Sequence, residues 1–356
     1  MGFWERRRAL VTGGASFIGS HLVEALLERG AEVRVADDFS SGRMANLGGV
    51  VGDVDVRRGN LRRESFSATA CRGVDAVFHL AADHGGRGYV DLHQAACATN
   101  LALDQTVFNA CLASGVGKLI YASSGCIYPL HLQNDPVREV YLTEDMAGPP
   151  YDPDGLYGLA KLAGELTLRA IHREHGLPST SCRFFTVYGP RGVENHAVMA
   201  MVSRAFIRQN PFVVWGTGEQ IRNWTYVSDI VSGMLRAGEV LEDGSPVNLG
   251  TMERVRVMDA VRLVLEYTSH DPKIETRPEM PVGPLNRVAD NARARQVLGW
   301  APQVPFAEGL RRTVNWYFAT RDRGEVAASL EALLMERPGV DANLPAWAPG
   351  VAARGA

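Results

Sequence analysis

Ala9-Leu10-Val11-Thr12-Gly13-Gly14-Ala15-Ser16-Phe17-Ile18-Gly19 is the stretch whose reading decides the fold. The first four residues make an apolar run of strand length, the glycines break it, and Ser20 to Arg29 then carries apolar residues at helical period. Strand, glycine loop and helix in that order predict a dinucleotide cradle. Gly13 and Gly19 let the backbone approach a pyrophosphate, whose charge then rests at the positive end of the helix. Ser16 takes the middle position of the G-x-x-G-x-x-G spacing and narrows the turn slightly; Phe17 and Ile18 complete the loop.

Working outward, Glu32 to Ala36 reads as a second buried strand ending in Asp37-Asp38. An acidic residue there accepts hydrogen bonds from an adenosine ribose and repels a 2′-phosphate, which favours NAD over NADP, although Arg43 lies close in sequence. Further strands around Val54 to Arg57, Ala76 to Leu80, Leu119 to Ala122 and Arg183 to Val187 alternate with helical stretches near 17–29, 91–114 and 157–175. The pattern predicts an α/β protein with a Rossmann-type doubly wound parallel sheet. Residues 1–180 are expected to form the dinucleotide-binding domain. Residues 181–330 are expected to supply most of a smaller α/β substrate-binding region, partly interleaved with the first, and 331–356 a tail. Ligands in such sheets collect beyond the carboxyl ends of the strands, so residues 81–88, 123–129 and 185–196 should border one cleft.

Asp154-Gly155-Leu156-Tyr157-Gly158-Leu159-Ala160-Lys161 puts a phenol and an ammonium on one helix face, four residues apart. An ammonium near a phenol favours the phenolate, which makes the pair a candidate general base for an alcohol. Ser123-Ser124 at the end of the fifth strand offers a hydroxyl to the same oxygen.

Composition excludes other classes. A formal net charge of −3 over 356 residues gives no reason to expect nucleic acid, and no apolar run approaches the roughly 20 residues of a membrane span. Cys71, Cys97, Cys111, Cys126 and Cys182 lack C-x-x-C spacing, so no metal site and no disulfide framework is indicated, and a cytoplasmic setting is expected.

Taken with His79-Leu80-Ala81-Ala82, Tyr188-Gly189-Pro190, Arg222-Asn223-Trp224-Thr225-Tyr226-Val227-Ser228-Asp229, Arg287-Val288-Ala289-Asp290 and Leu298-Gly299-Trp300, these motifs make residues 8 to about 317 resemble the extended short-chain dehydrogenase/reductase family. Members of this shape are NAD-dependent nucleotide-sugar epimerases, dehydratases and decarboxylases. The stretches Ala81 to Gly86 and Ser124 to Pro129 look most like those of GDP-mannose 3,5-epimerases.

The resemblance implies that NAD meets Gly13, Ser16, Phe17, Ile18, Gly19, Asp37, Asp38, Asn60, Leu61, Leu80, Ala81, Ala82, Asn100, Tyr157 and Lys161. It implies a nucleotide-diphosphate sugar, carried by GDP or UDP, against His84, Gly85, Ser124, Cys126, Thr186, His196, Arg222 and Arg287. Ser124, Tyr157, Lys161 and Cys126 would be catalytic. Three departures stand out. Gly125 and Cys126 replace the Asp-Glu of a 4,6-dehydratase. The loop Arg191 to His196 lacks the lysine that 3,5-epimerases pair with their cysteine, so either His196 or Glu194 substitutes as the second acid or that chemistry is absent. Thr186 stands where the family usually has an asparagine.

The expected reaction is epimerisation through a transient 4-keto sugar, at C4 or at a centre that the ketone activates. A dehydratase or decarboxylase, a net oxidoreductase and a non-catalytic NAD-sensing regulator are the alternatives. The resemblance also implies a homodimer through the helices near 91–114 and 157–175, with Leu101, Val107, Leu112, Leu159 and Leu162 as apolar contact positions.

Overall fold

Six of the apolar runs become β1 (Arg8–Thr12), β2 (Glu32–Asp37), β3 (Val54–Arg58), β4 (Ala76–His79), β5 (Lys118–Ser124) and β6 (Ser179–Phe184) in the computed structural model, which describes residues 2–135 and 137–335. A later strand, Asp243–Leu249, joins them at one edge. The order across the sheet is Asp243–Leu249, β6, β5, β4, β1, β2, β3, and every pairing is parallel. Because β1 lies between β2 and β4, the order reverses beside the carboxyl end of β1, where a doubly wound sheet opens a crevice.

The helices are α1 (Phe17–Leu27), α2 (Glu64–Cys71), α3 (Arg87–Leu92), α4 (Gln94–Ala98), α5 (Asn100–Ala113), α6 (Gly155–His175), α7 (Ala197–Phe206), α8 (Val227–Val240), α9 (Val257–Tyr267), α10 (Phe306–Thr320) and α11 (Arg323–Met335). Successive strand residues face opposite sides, so each strand feeds two cores. Val11, Phe78 and Ile120 pack with Leu22 and Leu26 of α1 and Ile230 and Met234 of α8. Leu10, Val77 and Leu119 pack with Val107 and Phe108 of α5 and Leu168 and Ile171 of α6. Covering both faces explains the unbroken apolar runs, and each such side chain contributes about 1.5–3 kcal/mol on burial.

Beyond β6 the chain crosses the top of the sheet. Phe212–Trp215 pairs with Ile274–Arg277, and Ile221–Arg222 pairs with Val255–Arg256 and Asn286–Arg287. α8 and Asp243–Leu249 return to the main sheet, so the second half is threaded through the first.

Two expectations need correction. The helix read over 91–114 is three pieces, because His93 leaves helical geometry at φ −115° and ψ 47° and a new start follows at Asn100. Residues 331–335, read as tail, belong to α11, whose Leu330 and Leu334 are buried against Ala200 of α7; residues 336–356 of the tail lie outside the described residues.

Under the sheet top sits a buried charge network. Arg183 gives Glu165 three hydrogen bonds, at 3.0 and 3.3 Å from Nε and 2.8 Å from Nη2, and Ser123 Oγ donates to the same carboxylate. Arg183 Nη1 reaches Tyr128 Oη at 3.0 Å, and Tyr128 donates to Asn248 Oδ1 at 2.6 Å. Both charged groups are 1% exposed, so removing one partner strands the other without water. Glu165→Gln is therefore expected to cost roughly 3–5 kcal/mol in urea unfolding; a loss below about 1 kcal/mol would show the pair to be replaceable.

Candidate active site

The glycine cradle forms as the spacing requires. Gly13 has φ +67°, and a Cβ on Gly19 would stand 2.2 Å from Gly13 O, so loop and helix touch backbone to backbone. Ser16 stands at the N-cap position of α1, but its Oγ donates back to Gly13 O at 2.6 Å and leaves the helix amides uncapped, and no acidic residue occupies the first turn. The amides that open α1 thus meet no competing carboxylate of their own helix, which suits an anionic ligand. At the end of β2, Asp37 takes the amides of Ala15 at 2.9 Å and Phe39 at 2.8 Å, which fixes its carboxylate beside the glycine loop. A small recess of about 60 Å³ beside it is lined by Asp37, Asp38, Asn60, Leu61, Ala81 and Ala82, among others. Arg43 is exposed and lines neither this recess nor the main cavity. Asn100 is a correction: its amide holds Asp83, accepting from N at 2.6 Å and donating to O at 2.8 Å, so it braces the loop and lines neither the recess nor the main cavity.

The recess shares Ser16, Ser41, Leu80, Ala82 and His84 with a cavity of about 360 Å³. Ser124, Cys126, Tyr157, Lys161, Thr186 and His196 line that cavity, as do His84, Gly85, Arg222 and Arg287. Thus the three loops read as bordering one cleft do so. Their closeness is steric: a Cβ on Gly86 would fall 1.6 Å from Asn195 O.

Ser124 hydrogen-bonds with Tyr157, whose phenol is nevertheless pushed well above its ordinary value. Burial is the main cause, the thiols of Cys126 and Cys97 add to it, and the Ser124 bond opposes it. The expectation that Lys161 brings this phenol down is therefore corrected: burial raises it. Lys161 is 2% exposed and is itself pulled down by burial, against the charges of Asp104 and Glu165. Asp104 is pushed up by burial, but Lys161, His79 and Tyr121 together hold its carboxyl below the usual range. It accepts from Tyr121 at 2.5 Å and meets His79 Nε2 at 3.0 Å; His79 Nδ1 meets Thr12 Oγ1 at 2.8 Å. Thr12 Oγ1 in turn accepts the amides of Leu80 and Ala81 at 3.0 and 3.1 Å, which ties the tyrosine helix to the cradle.

Cys126 is held by a residue far along the chain. Arg287 Nη1 lies 3.1 Å from its Sγ, while Nε reaches Gln133 Oε1 at 2.7 Å and Nη2 reaches Asp154 Oδ2 at 2.9 Å. Arg87 Nη1 binds the same Asp154 oxygen at 2.8 Å, and its Nε reaches Asp91 at 2.8 Å. Burial pushes Asp154 up, and the two arginines overcome this to leave its carboxyl below the usual range. Among the described residues Arg222 bonds only to carbonyls, of Ile221 and Val282 at 2.8 Å each. Burial, then Arg287 and Arg87, bring it down to about 9. Three arginines thus meet two carboxylates, a surplus that calls for an anion.

His196 faces His84 with ring centroids 6.0 Å apart, and burial lowers it to about 4, so it is neutral at pH 7. Glu194 is withdrawn as an acid candidate: it lines neither the recess nor the main cavity and accepts from Tyr317 at 2.9 Å. Sequence reading missed Arg87, Asp104 and Asp154 as functional supports; the one local signal was Arg87 directly after Gly85-Gly86. Among the described residues, no group of three or more His, Cys, Asp or Glu is arranged for a metal, and no helix is long and apolar enough to cross a membrane.

Known proteins share this architecture. The chain is 31% identical over 324 residues to GDP-mannose 3,5-epimerase 1 of Oryza sativa subsp. japonica, an alignment covering 88% of this chain and 83% of the relative. UDP-glucose 4-epimerase of Thermotoga maritima, solved with UDP-glucose, superposes with a TM-score of 0.79 at 30% identity, over 88% of this chain and 99% of that one. The UDP-glucose 4-epimerase of Thermus thermophilus, solved with NAD, gives the same TM-score and identity over 88% and 100%. Residues 9–250 match the model of the NAD dependent epimerase/dehydratase family, and with this cradle and this Ser, Tyr, Lys geometry the chain belongs to it.

Proposed function

We propose that this protein is an NAD-dependent epimerase of nucleotide-diphosphate sugars that works through a transient 4-keto sugar. The observation that carries the reading is the Ser124–Tyr157 pair standing where the glycine cradle opens into a cavity with surplus arginine charge. Gly13 to Gly19 and Asp37 would hold NAD, which supplies the hydride acceptor at C4 and, when oxidised, a positive charge near the phenol. Tyr157 receives the proton of the C4 hydroxyl, Ser124 fixes that oxygen, and Lys161 adds a buried positive charge beneath them. Since burial raises the Tyr157 phenol, the phenolate that can take this proton is populated only with positive charge gathered around the ring. Arg222 and Arg287 pair with the diphosphate.

With the ketone in place, the adjacent C–H becomes acidic, and Cys126 is placed to exchange that proton. Its sulfur accepts from Arg287, so its own proton is left for another partner. This geometry supports epimerisation beside the ketone over simple rotation. Gly125 and Cys126 leave no Asp-Glu pair for a 4,6-dehydratase.

The assembly is proposed to be a homodimer through the outer faces of α5 and α6. Leu101, Leu156 and Leu159 are 46%, 39% and 42% exposed, whereas Val107 and Leu162 are buried in the chain's own cores and drop out of the contact. All five cysteines are free, in keeping with a cytoplasmic setting.

Tyr157→Phe keeps the ring and removes the proton acceptor, so turnover should fall by at least about 100-fold with NAD binding unchanged; activity within about tenfold of the parent would refute the role. Cys126→Ser in D₂O should still permit oxidation at C4 but lose solvent deuterium at the neighbouring carbon, because a serine hydroxyl titrates far above a thiol. Unchanged labelling would make Cys126 a wall residue and leave 4-epimerisation. In sedimentation the chain should run at twice its 38.7 kDa mass, and Leu101→Glu with Leu159→Glu should give the monomer; a monomeric parent at micromolar concentration would remove the dimer.

A further inference from the structure

Asp154 stands at the N-cap position of α6 and does not cap it. A short acidic side chain there ordinarily accepts from the second or third amide of its own helix. Here Gln94 Oε1 takes the amide of Leu156 instead, at 2.6 Å, while its Nε2 donates to Val90 O at 2.8 Å. The carboxylate of Asp154, a residue 5% exposed, is turned the other way, and its Oδ2 accepts from Arg87 Nη1 at 2.8 Å and from Arg287 Nη2 at 2.9 Å. Its backbone meets Cys126 as well. Asp154 N donates to Cys126 O at 2.8 Å, and a Cβ on Gly158, one turn on, would stand 2.3 Å from that same oxygen.

Cys126 is therefore held at both ends, its carbonyl by the amide of Asp154 and its sulfur by Arg287 Nη1 at 3.1 Å. The guanidinium is planar, with its donors in a fixed fork, so partners on three nitrogens leave it one orientation. Sγ of Cys126 is one partner and Oε1 of Gln133, which is itself tied to Tyr128 O and Pro129 O, is the second. Asp154 is the third, and it lines neither the main cavity nor the recess.

We propose that Asp154 is a positioning residue for proton exchange at Cys126: through Arg287 it holds the sulfur against the carbon beside the ketone. The inference rests on the reading of Cys126 given above. In that step the sulfur, as thiolate, takes the C–H proton while the bonding electron pair moves to the ketone oxygen as enolate; the S–H bond then breaks to return a proton to carbon.

The test compares two rates in the holoenzyme, with whichever UDP-, GDP- or dTDP-hexose the parent turns over: deuterium entering beside C4 in D₂O, by NMR, and hydride passing to nicotinamide, by transient absorbance. A loss of structure lowers both rates and leaves their ratio. Asp154→Asn keeps the size and removes the charge, and the ratio of exchange to hydride transfer should fall roughly 10–100-fold, the cost of a small misplacement at a reacting atom. Arg287→Met should lower the ratio too, and adding Asp154→Asn to it should lower it no further, because residues that act through one contact are not additive. A ratio within about twofold of the parent in Asp154→Asn, or losses that multiply in the double variant, would overturn the assignment and leave exchange at Cys126 standing. Turnover of the parent with no deuterium beside C4 would overturn the exchange and the assignment together.

Discussion

A lysine that is 2% exposed governs how the rest of this site is built. Desolvation works to discharge Lys161, and the fold answers with two buried carboxylates, Asp104 and Glu165, on separate helices. Each carboxylate needs its own partners in turn. Asp104 takes Tyr121 and His79, and through His79 is connected to Thr12 at the mouth of the glycine loop. Glu165 takes Arg183 and Ser123, and through Arg183 is connected to Tyr128 and Asn248 of the edge strand. One buried charge thus ties the cofactor cradle, the tyrosine helix and the sheet edge into a single electrostatic unit, which is how a site assembled from distant segments keeps its geometry.

What the sequence made legible follows from this. The strand, loop and helix of Ala9 to Gly19 could be read because glycine spacing and apolar periodicity are local properties. Ser124, Tyr157, Lys161 and Cys126 likewise share one cavity because each sits at a strand end or on one helix face, positions that period and punctuation reveal. The partners could not be read. Arg287 lies 161 residues from the thiol it touches, and Asp104 sits 25 residues after His79 on a helix whose pattern shows only a core face.

The errors share a cause. A lysine four residues away predicts a Tyr157 eased toward the phenolate, but the balance is set by how much water the folded chain removes, which only tertiary structure decides. Asn100 and Glu194 read as site residues by position, and both are satisfied by internal partners, Asp83 and Tyr317. Val107 and Leu162 read as contact residues, and the chain's own cores claim them. In each case an interaction within the fold has already taken the group that the sequence leaves available.

The central claim is that one carbon of the sugar gives up its hydride and receives it back within a single site. The direct measurement is to incubate the protein with UDP-, GDP- and dTDP-hexoses deuterated at C4 and to follow the label by NMR together with absorbance of the reduced nicotinamide. The account predicts an epimerised product that keeps the deuterium at C4, with no net build-up of reduced cofactor. Epimer formed with loss of the C4 label to solvent, or a stoichiometric yield of reduced nicotinamide, would contradict it.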